Sequence, residues 1–109
     1  MTDKLLILTT VGSDSEARKI AQMLVERHLA ACVNIIPKVQ SVYRWEGKME
    51  NAEEYLLIAK TTREKEIEAQ DAIRELHSYD LPECISIPID GGSSEYLKWI
   101  TDSLQSKNE

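Results

Sequence analysis

Two histidines, two cysteines and a few lysine, tyrosine and glutamate side chains carry most of the chemistry that this 109-residue sequence offers. His77 stands two residues before Tyr79 and near Glu83. An imidazole in that company is a candidate metal ligand or cleft residue. As a helix-terminal group it is equally favoured by the helix dipole, with no ligand at all. His28 extends the apolar stripe of an earlier helix, where an end-of-helix or packing role is the simpler assignment. Cys32 is a soft copper ligand or a small packed thiol in a strand, and Cys84, beside Pro82-Glu83, has no obvious partner cysteine. Lys60 closes an apolar run, where a lone ammonium needs a partner. Glu83 or Asp90 would supply one. Alternatively Lys60, Tyr79 and Glu83 line an inter-subunit cleft for a small anion or metal complex. Tyr43 and Trp45 read as interface aromatics in preference to a ligand cage.

Several reaction classes lack the residues they need. No Ser-His-Asp or Cys-His set has supporting spacing, and two histidines leave few combinations. Val39-Gln40-Ser41-Val42-Tyr43-Arg44 resembles part of the acylphosphatase loop, which cradles phosphate in a glycine-rich turn after the first strand. Here the fragment lies inside a strand and carries Ser41 in place of glycine, and a strand cannot wrap an anion. Thr10-Val11-Gly12-Ser13 offers one glycine and no cluster of Lys or Arg, so a nucleotide-phosphate loop is not indicated, although the helix start at Ser13 can hold a lone anion. A non-enzymatic role is expected. The charge is 13 − 19 = −6. That balance, without a basic stripe, disfavours nucleic acid. No apolar run reaches membrane-spanning length, and Met1-Thr2-Asp3-Lys4 does not read as a signal peptide. Two distant cysteines imply neither a disulfide framework nor a zinc ribbon, and a reducing cytoplasm is the expected compartment.

The elements that must position these residues follow from periodicity. One domain over 1–109 suits the length. Leu5 to Val11 is a short, nearly continuous apolar run, which predicts a strand buried on both faces. Ser13-x-x-Glu16 has the form of a capping box, followed by Ala17, Ile20, Ala21, Leu24 and Val25 along one helical stripe. From Ala31 to Trp45 the period is two, with Val33, Ile35, Val39, Tyr43 and Trp45 in one phase. Glu46-Gly47-Lys48 predicts a hairpin turn, and Tyr55 to Ala59 a second doubly buried strand. Thr61-x-x-Glu64 predicts the next helix start, with Ala69, Ala72, Ile73 and Leu76 on one face. Pro82 opens a strand in which Ile85, Ile87 and Ile89 alternate with polar residues and Pro88 implies an edge. Tyr96, Leu97, Ile100 and Leu104 mark a terminal helix.

The resulting class is α+β. The order βαββαβ plus a C-terminal helix predicts a ferredoxin-like antiparallel sheet, spatial order 4-1-3-2. In that arrangement the helices cover one face, yet both faces of the first and third strands are apolar, so something must cover the other. Fifteen extended residues span about 50 Å, against a diameter of about 35 Å for a compact domain of this size. The segment from Ala31 to Trp45 therefore protrudes, or bends at Pro37. A protruding hairpin leaves strand edges that another chain would pair. Homo-oligomerisation is expected.

A family resemblance rests on specific landmarks. Leu29-Ala30-Ala31-Cys32-Val33-Asn34 with Pro37, Ser41-x-Tyr43-x-Trp45-x-Gly47-Lys48, Glu53, Leu57-x-x-Lys60-Thr61, His77-x-Tyr79-x-x-Pro82-Glu83, Pro88-x-x-x-Gly92 and Tyr96-Leu97-x-Trp99 together resemble the signature of the CutA divalent-cation tolerance family, in order and over nearly the whole chain. The resemblance implies a homotrimer, related in architecture to PII-like signalling trimers, with hairpins pairing between subunits. It implies a link to tolerance of divalent cations, copper especially, and no required cofactor beyond a possible Cu2+ or similar ion. Copper-binding members carry a Cys where this chain has Thr9, and a His-His-Pro-Tyr segment where it reads Leu76-His77-Ser78-Tyr79; of those ligands only His77 carries over. A PII-like trimer that takes a nucleotide or small molecule in its clefts is the alternative.

Overall fold

The computed structural model describes residues 2–105; Met1 and 106–109, the ends of the expected domain, lie outside the described residues. The elements are β1 (Lys4–Val11), α1 (Asp14–Glu26), β2 (Cys32–Trp45), β3 (Lys48–Thr62), a 3-10 turn (Arg63–Lys65), α2 (Glu66–Leu76), β4 (Ile85–Pro88) and α3 (Ser94–Ser103). All sheet pairings are antiparallel, and the strand order is β2-β3-β1-β4. The two doubly apolar strands therefore occupy the centre, as expected, and the two alternating ones the edges.

One face of the sheet holds the core. Leu5, Ile7, Thr9 and Val11 of β1 lie opposite Thr61, Ala59, Leu57 and Tyr55 of β3. Leu5, Ile7, Val11, Leu57 and Ala59 pack with Ala17, Ile20, Ala21 and Leu24 of α1 and Ala69, Ala72 and Ile73 of α2. Val25, expected in that stripe, is instead 44% exposed. Ser13 caps α1 by accepting the Glu16 N–H at 3.2 Å. The helix ends with His28 in the left-handed region (φ 59°), while the N–H of Leu29 donates to Leu24 O and that of His28 to Val25 O. This is a Schellman stop, with histidine where glycine is usual.

The second face carries Leu6 and Leu8 of β1, Leu56 and Ile58 of β3, and Ile85 and Ile87 of β4, brought alongside one another by the register. Ile85 and Ile87 are half exposed. α3 lies against β3, with Lys60 Nζ 5.8 Å from the Tyr96 ring centroid and Ile100 fully buried. Neither α1 nor α2 covers this face.

Three expectations need correction. β2 does not keep one phase. Ile36 pairs with Leu56 but Val39 with Glu54, so one extra residue bulges at Pro37–Lys38, with Lys38 at φ 61°. A bulge of one residue exchanges the faces. Val33 and Ile35 stay on the core side, while Val39, Ser41, Tyr43 and Trp45 move to the second face. Next, Thr61 does not cap a helix: β3 runs through Thr62, and the Thr61 hydroxyl donates to Leu29 O at 2.7 Å, so α2 starts at Glu66 with no side-chain cap. Nor does β4 open at Pro82; it begins at Ile85. The direction of the β4 alternation is set by the register: Ser86 points inward and accepts a hydrogen bond from Gln70 Nε2 at 3.0 Å, while Ile85 and Ile87 face the other way.

Beyond the bulge the β2–β3 hairpin leaves the body. The turn residues Glu46 and Gly47 both have positive φ (51° and 80°), the two-residue geometry that matches strand twist. Nearly every residue from Val42 to Glu53 is exposed. The molecule measures 47 × 30 × 22 Å, its long axis close to the hairpin length expected from the sequence.

Candidate functional site

β1 stops at Val11 while β2 and β3 continue past it, which leaves a step at the end of the sheet. The loop between α2 and β4 folds over that step. A cleft of about 650 Å³ opens between this loop and the outer hairpin, lined by Tyr43, Trp45 and Glu54 on one side and Tyr79, Asp80 and Glu83 on the other.

Three contacts fix the loop. His77 is the C-cap of α2 and its side chain is fully buried. Its Nε2 lies 2.8 Å from Thr10 O, and Nδ1 accepts the Tyr79 backbone N–H at 3.2 Å. Those partners require the proton on Nε2, which donates to the carbonyl. Glu16, in place of reaching back to its own helix cap, accepts from the Ser78 N–H at 2.8 Å and from the Ser78 hydroxyl at 3.1 Å. Tyr79 then crosses the end of β1, where its hydroxyl donates to Glu54 Oε2 at 2.7 Å. Gly12 lets the ring lie close, because a Cβ there would stand 3.2 Å from the Tyr79 oxygen and would push it aside by a few tenths of an ångström. Burial, reinforced by the adjacent Glu54 carboxylate, holds the Tyr79 phenol well above its ordinary range. The phenol is a neutral donor at physiological pH.

The residues singled out from the sequence separate into two places. Tyr43, Trp45, Tyr79 and Glu83 meet at the cleft, with His77 directly beneath it through its contact with the Tyr79 ring (centroids 4.8 Å apart). Lys60 does not join Tyr79 and Glu83 within one chain. It sits opposite Cys32 and Leu6, near Tyr96, six residues down β3 from Glu54, or about 20 Å of strand. The ring nitrogens of His77 are both engaged, so an ion could take this imidazole only by displacing one of those bonds. Among the described residues no group of three or more His, Cys, Asp or Glu is placed to hold a metal ion. Cys32 and Cys84 are free thiols, and burial raises the Cys84 thiol above its ordinary value.

Glu54 and Asp80 escaped the sequence reading. Glu54 is only 5% exposed, and its position two residues before Leu56 on the second-face phase of β3 was the available signal. Without the bulge in view, nothing linked it to Tyr43 and Trp45.

Comparison with known proteins fits this geometry. The model of the family described as CutA1 divalent ion tolerance protein matches residues 5–103, which take in all of the elements above except Lys4 at the start of β1. The "Divalent-cation tolerance protein CutA" of Thermus thermophilus is 43% identical, over 90% of this chain and 95% of its own length. "Protein CutA, chloroplastic" of Arabidopsis thaliana is 41% identical, and the matched region spans 56% of that longer protein. The crystal structure of CutA from Xylella fastidiosa superposes with a TM-score of 0.93 at 38% identity, covering 95% of this chain and all of the other. A family match that takes in the whole sheet, the protruding hairpin and the loop at its step identifies the chain as a member of the CutA1 divalent ion tolerance family.

Proposed function

We propose that this chain works as a non-enzymatic, self-assembling protein of divalent-cation tolerance, built as a ferredoxin-like homotrimer with a PII-like arrangement of subunits. The observation that carries the assembly is the second face of the sheet. Leu6, Leu8, Leu56, Ile58, Ile85 and Ile87 form an apolar surface that α1 and α2 leave open, beside a hairpin whose outer edges are unpaired among the described residues. A contiguous surface of this kind needs a partner, and a second copy meets it with a surface of the same composition. The number three comes from the family resemblance. Tyr43 and Trp45 lie where the bulge turns them to this same face, in keeping with a place at the subunit boundary.

Copper or another divalent cation is the expected effector. His77 would serve as a ligand only in exchange for its present bonds, so binding through it should be weak. A non-enzymatic role accords with the family's description as a divalent ion tolerance protein. The two free thiols suit a reducing cytoplasm. Light scattering coupled to size exclusion, with and without copper, tests this proposal. A mass near three times 12.4 kDa in both runs supports assembly by packing. A folded monomer in both runs refutes it.

A further inference from the structure

Two charges on the second face of the sheet lack the counter-charge that burial demands. Glu54 is only 5% exposed, and its Oε2 accepts a hydrogen bond from the Tyr79 hydroxyl, a neutral donor. No other hydrogen bond or ion pair reaches it among the described residues. Lys60 is half-buried, and among the described residues its ammonium meets no carboxylate, only the Tyr96 ring 5.8 Å away. A buried carboxylate with one neutral donor, or a half-buried ammonium beside one ring, is costly until an opposite charge meets it.

Both side chains belong to β3 and share its second face, with Leu56 and Ile58 between them. They stand six residues apart, about 20 Å of strand, so neither neutralises the other within one chain. Other cations of this face do not serve. Lys4 of β1 is held by Asp3 at 2.6 Å, and Lys48 stands exposed at the hairpin tip. What remains is a strip that is negative at one end, apolar in the middle and positive at the other. Such a strip is complementary to a second copy of itself. Subunits that bury Leu56 and Ile58 against one another bring the negative end of one to the positive end of the next, and in a closed ring every charge is matched. We infer that assembly joins Glu54 of each subunit to Lys60 of its neighbour in an ion pair across the boundary. The cleft that Glu54 lines is then completed only by the neighbouring chain's ammonium. This inference rests on the assembly proposed above and specifies which surfaces meet in it.

The test is sedimentation velocity of the intact protein over a dilution series, with circular dichroism to confirm that each variant is folded. Lys60→Glu sets a second carboxylate opposite Glu54, and the concentration at half-dissociation should rise about a hundredfold or more. Glu54→Gln in that background removes the repulsion and keeps an acceptor for Tyr79, so most of the assembly should return. Lys60→Gln is the gentler change for the fold. It should raise the dissociation concentration about tenfold or more, and adding Glu54→Gln to it should change little further, because the pair is already broken. A Lys60→Glu variant that assembles as the unaltered chain does overturns the inference. So does a loss that Glu54→Gln fails to restore, or a pair of Gln substitutions whose effects simply add. An unaltered chain that is monomeric throughout removes the assembly itself, whereas a trimer indifferent to Lys60 leaves the assembly standing and removes only the ion pair.

Discussion

Replacing Tyr79 with Phe removes one oxygen and leaves the ring over Gly12 and beside His77. The lost bond is a 2.7 Å contact from a neutral phenol to a carboxylate, and the acceptor that stays behind is only 5% exposed. A hydrogen bond to a charged group contributes about 1.5–3 kcal/mol, and a buried group left unpaired sits at the upper end. Tyr79 itself is 37% exposed, so water can reach part of the vacated space and the lower end applies. A loss of about 1.5–2 kcal/mol is expected in urea unfolding at fixed chain concentration, because assembly makes stability depend on concentration. In a Glu54→Gln background the same substitution should cost only about half as much, since a neutral acceptor bonds roughly half as strongly. The pH dependence carries a sign. The folded-state pKa of Tyr79 lies above its ordinary value of 10.0, so the folded chain holds the proton more tightly than the unfolded one. The resulting stability is fully present below about pH 10 and is lost as pH rises beyond it. Tyr79→Phe should flatten that alkaline decline. A loss below about 0.5 kcal/mol, or an equal cost in both backgrounds, would refute the coupling of Tyr79 to a buried carboxylate.

Three further substitutions probe other parts of the structure. Thr9→Val should stabilise the protein by about 1 kcal/mol in the same unfolding assay, because the Thr9 hydroxyl is buried in the core with no hydrogen-bond partner among the described residues. Gly12→Ala should destabilise by about 1–2 kcal/mol, since its Cβ would press on the Tyr79 oxygen, and Tyr79→Ala in the same chain should remove most of that penalty. His28→Gly should raise the thermal midpoint, by about 0.5–1 kcal/mol of stability, because the Schellman position at φ 59° strains any residue with a Cβ.

Hydrophobic period and capping made much of this fold legible. The runs Leu5 to Val11 and Tyr55 to Ala59 could only be central strands, and Ser13 caps α1 as its spacing to Glu16 implies. Where the reading failed, tertiary contacts had displaced a local rule. Thr61 has the form of a helix cap, but the carbonyl of Leu29 is the better partner for its hydroxyl inside the core. The isoleucines of β4 alternate as expected, yet they serve the face turned away from the core, and alternation alone carries no direction. Pro37 hinted at irregularity, but a one-residue bulge at Lys38 changes every later assignment of β2 to a face. That single residue is why Tyr43 and Trp45 could be named while the cleft they share with Glu54 and Tyr79 could not. His77 and Glu16 are also instructive. Both are ordinary helix-end residues by type, and both hold the loop over the end of β1 through partners more than 60 positions away.

The central claim is that the second face of the sheet assembles the protein, and one pair of charge insertions tests it most directly. Ile87 and Ile67 are both exposed isoleucines, one on the second face and the other on α2. Sedimentation velocity of Ile87→Lys, Ile67→Lys and the unaltered chain at one concentration would compare the two surfaces. Assembly through the second face requires a trimer for the unaltered chain and for Ile67→Lys, and a smaller, still folded species for Ile87→Lys. An Ile87→Lys variant that sediments as the unaltered chain does, or an Ile67→Lys variant that dissociates, would contradict it.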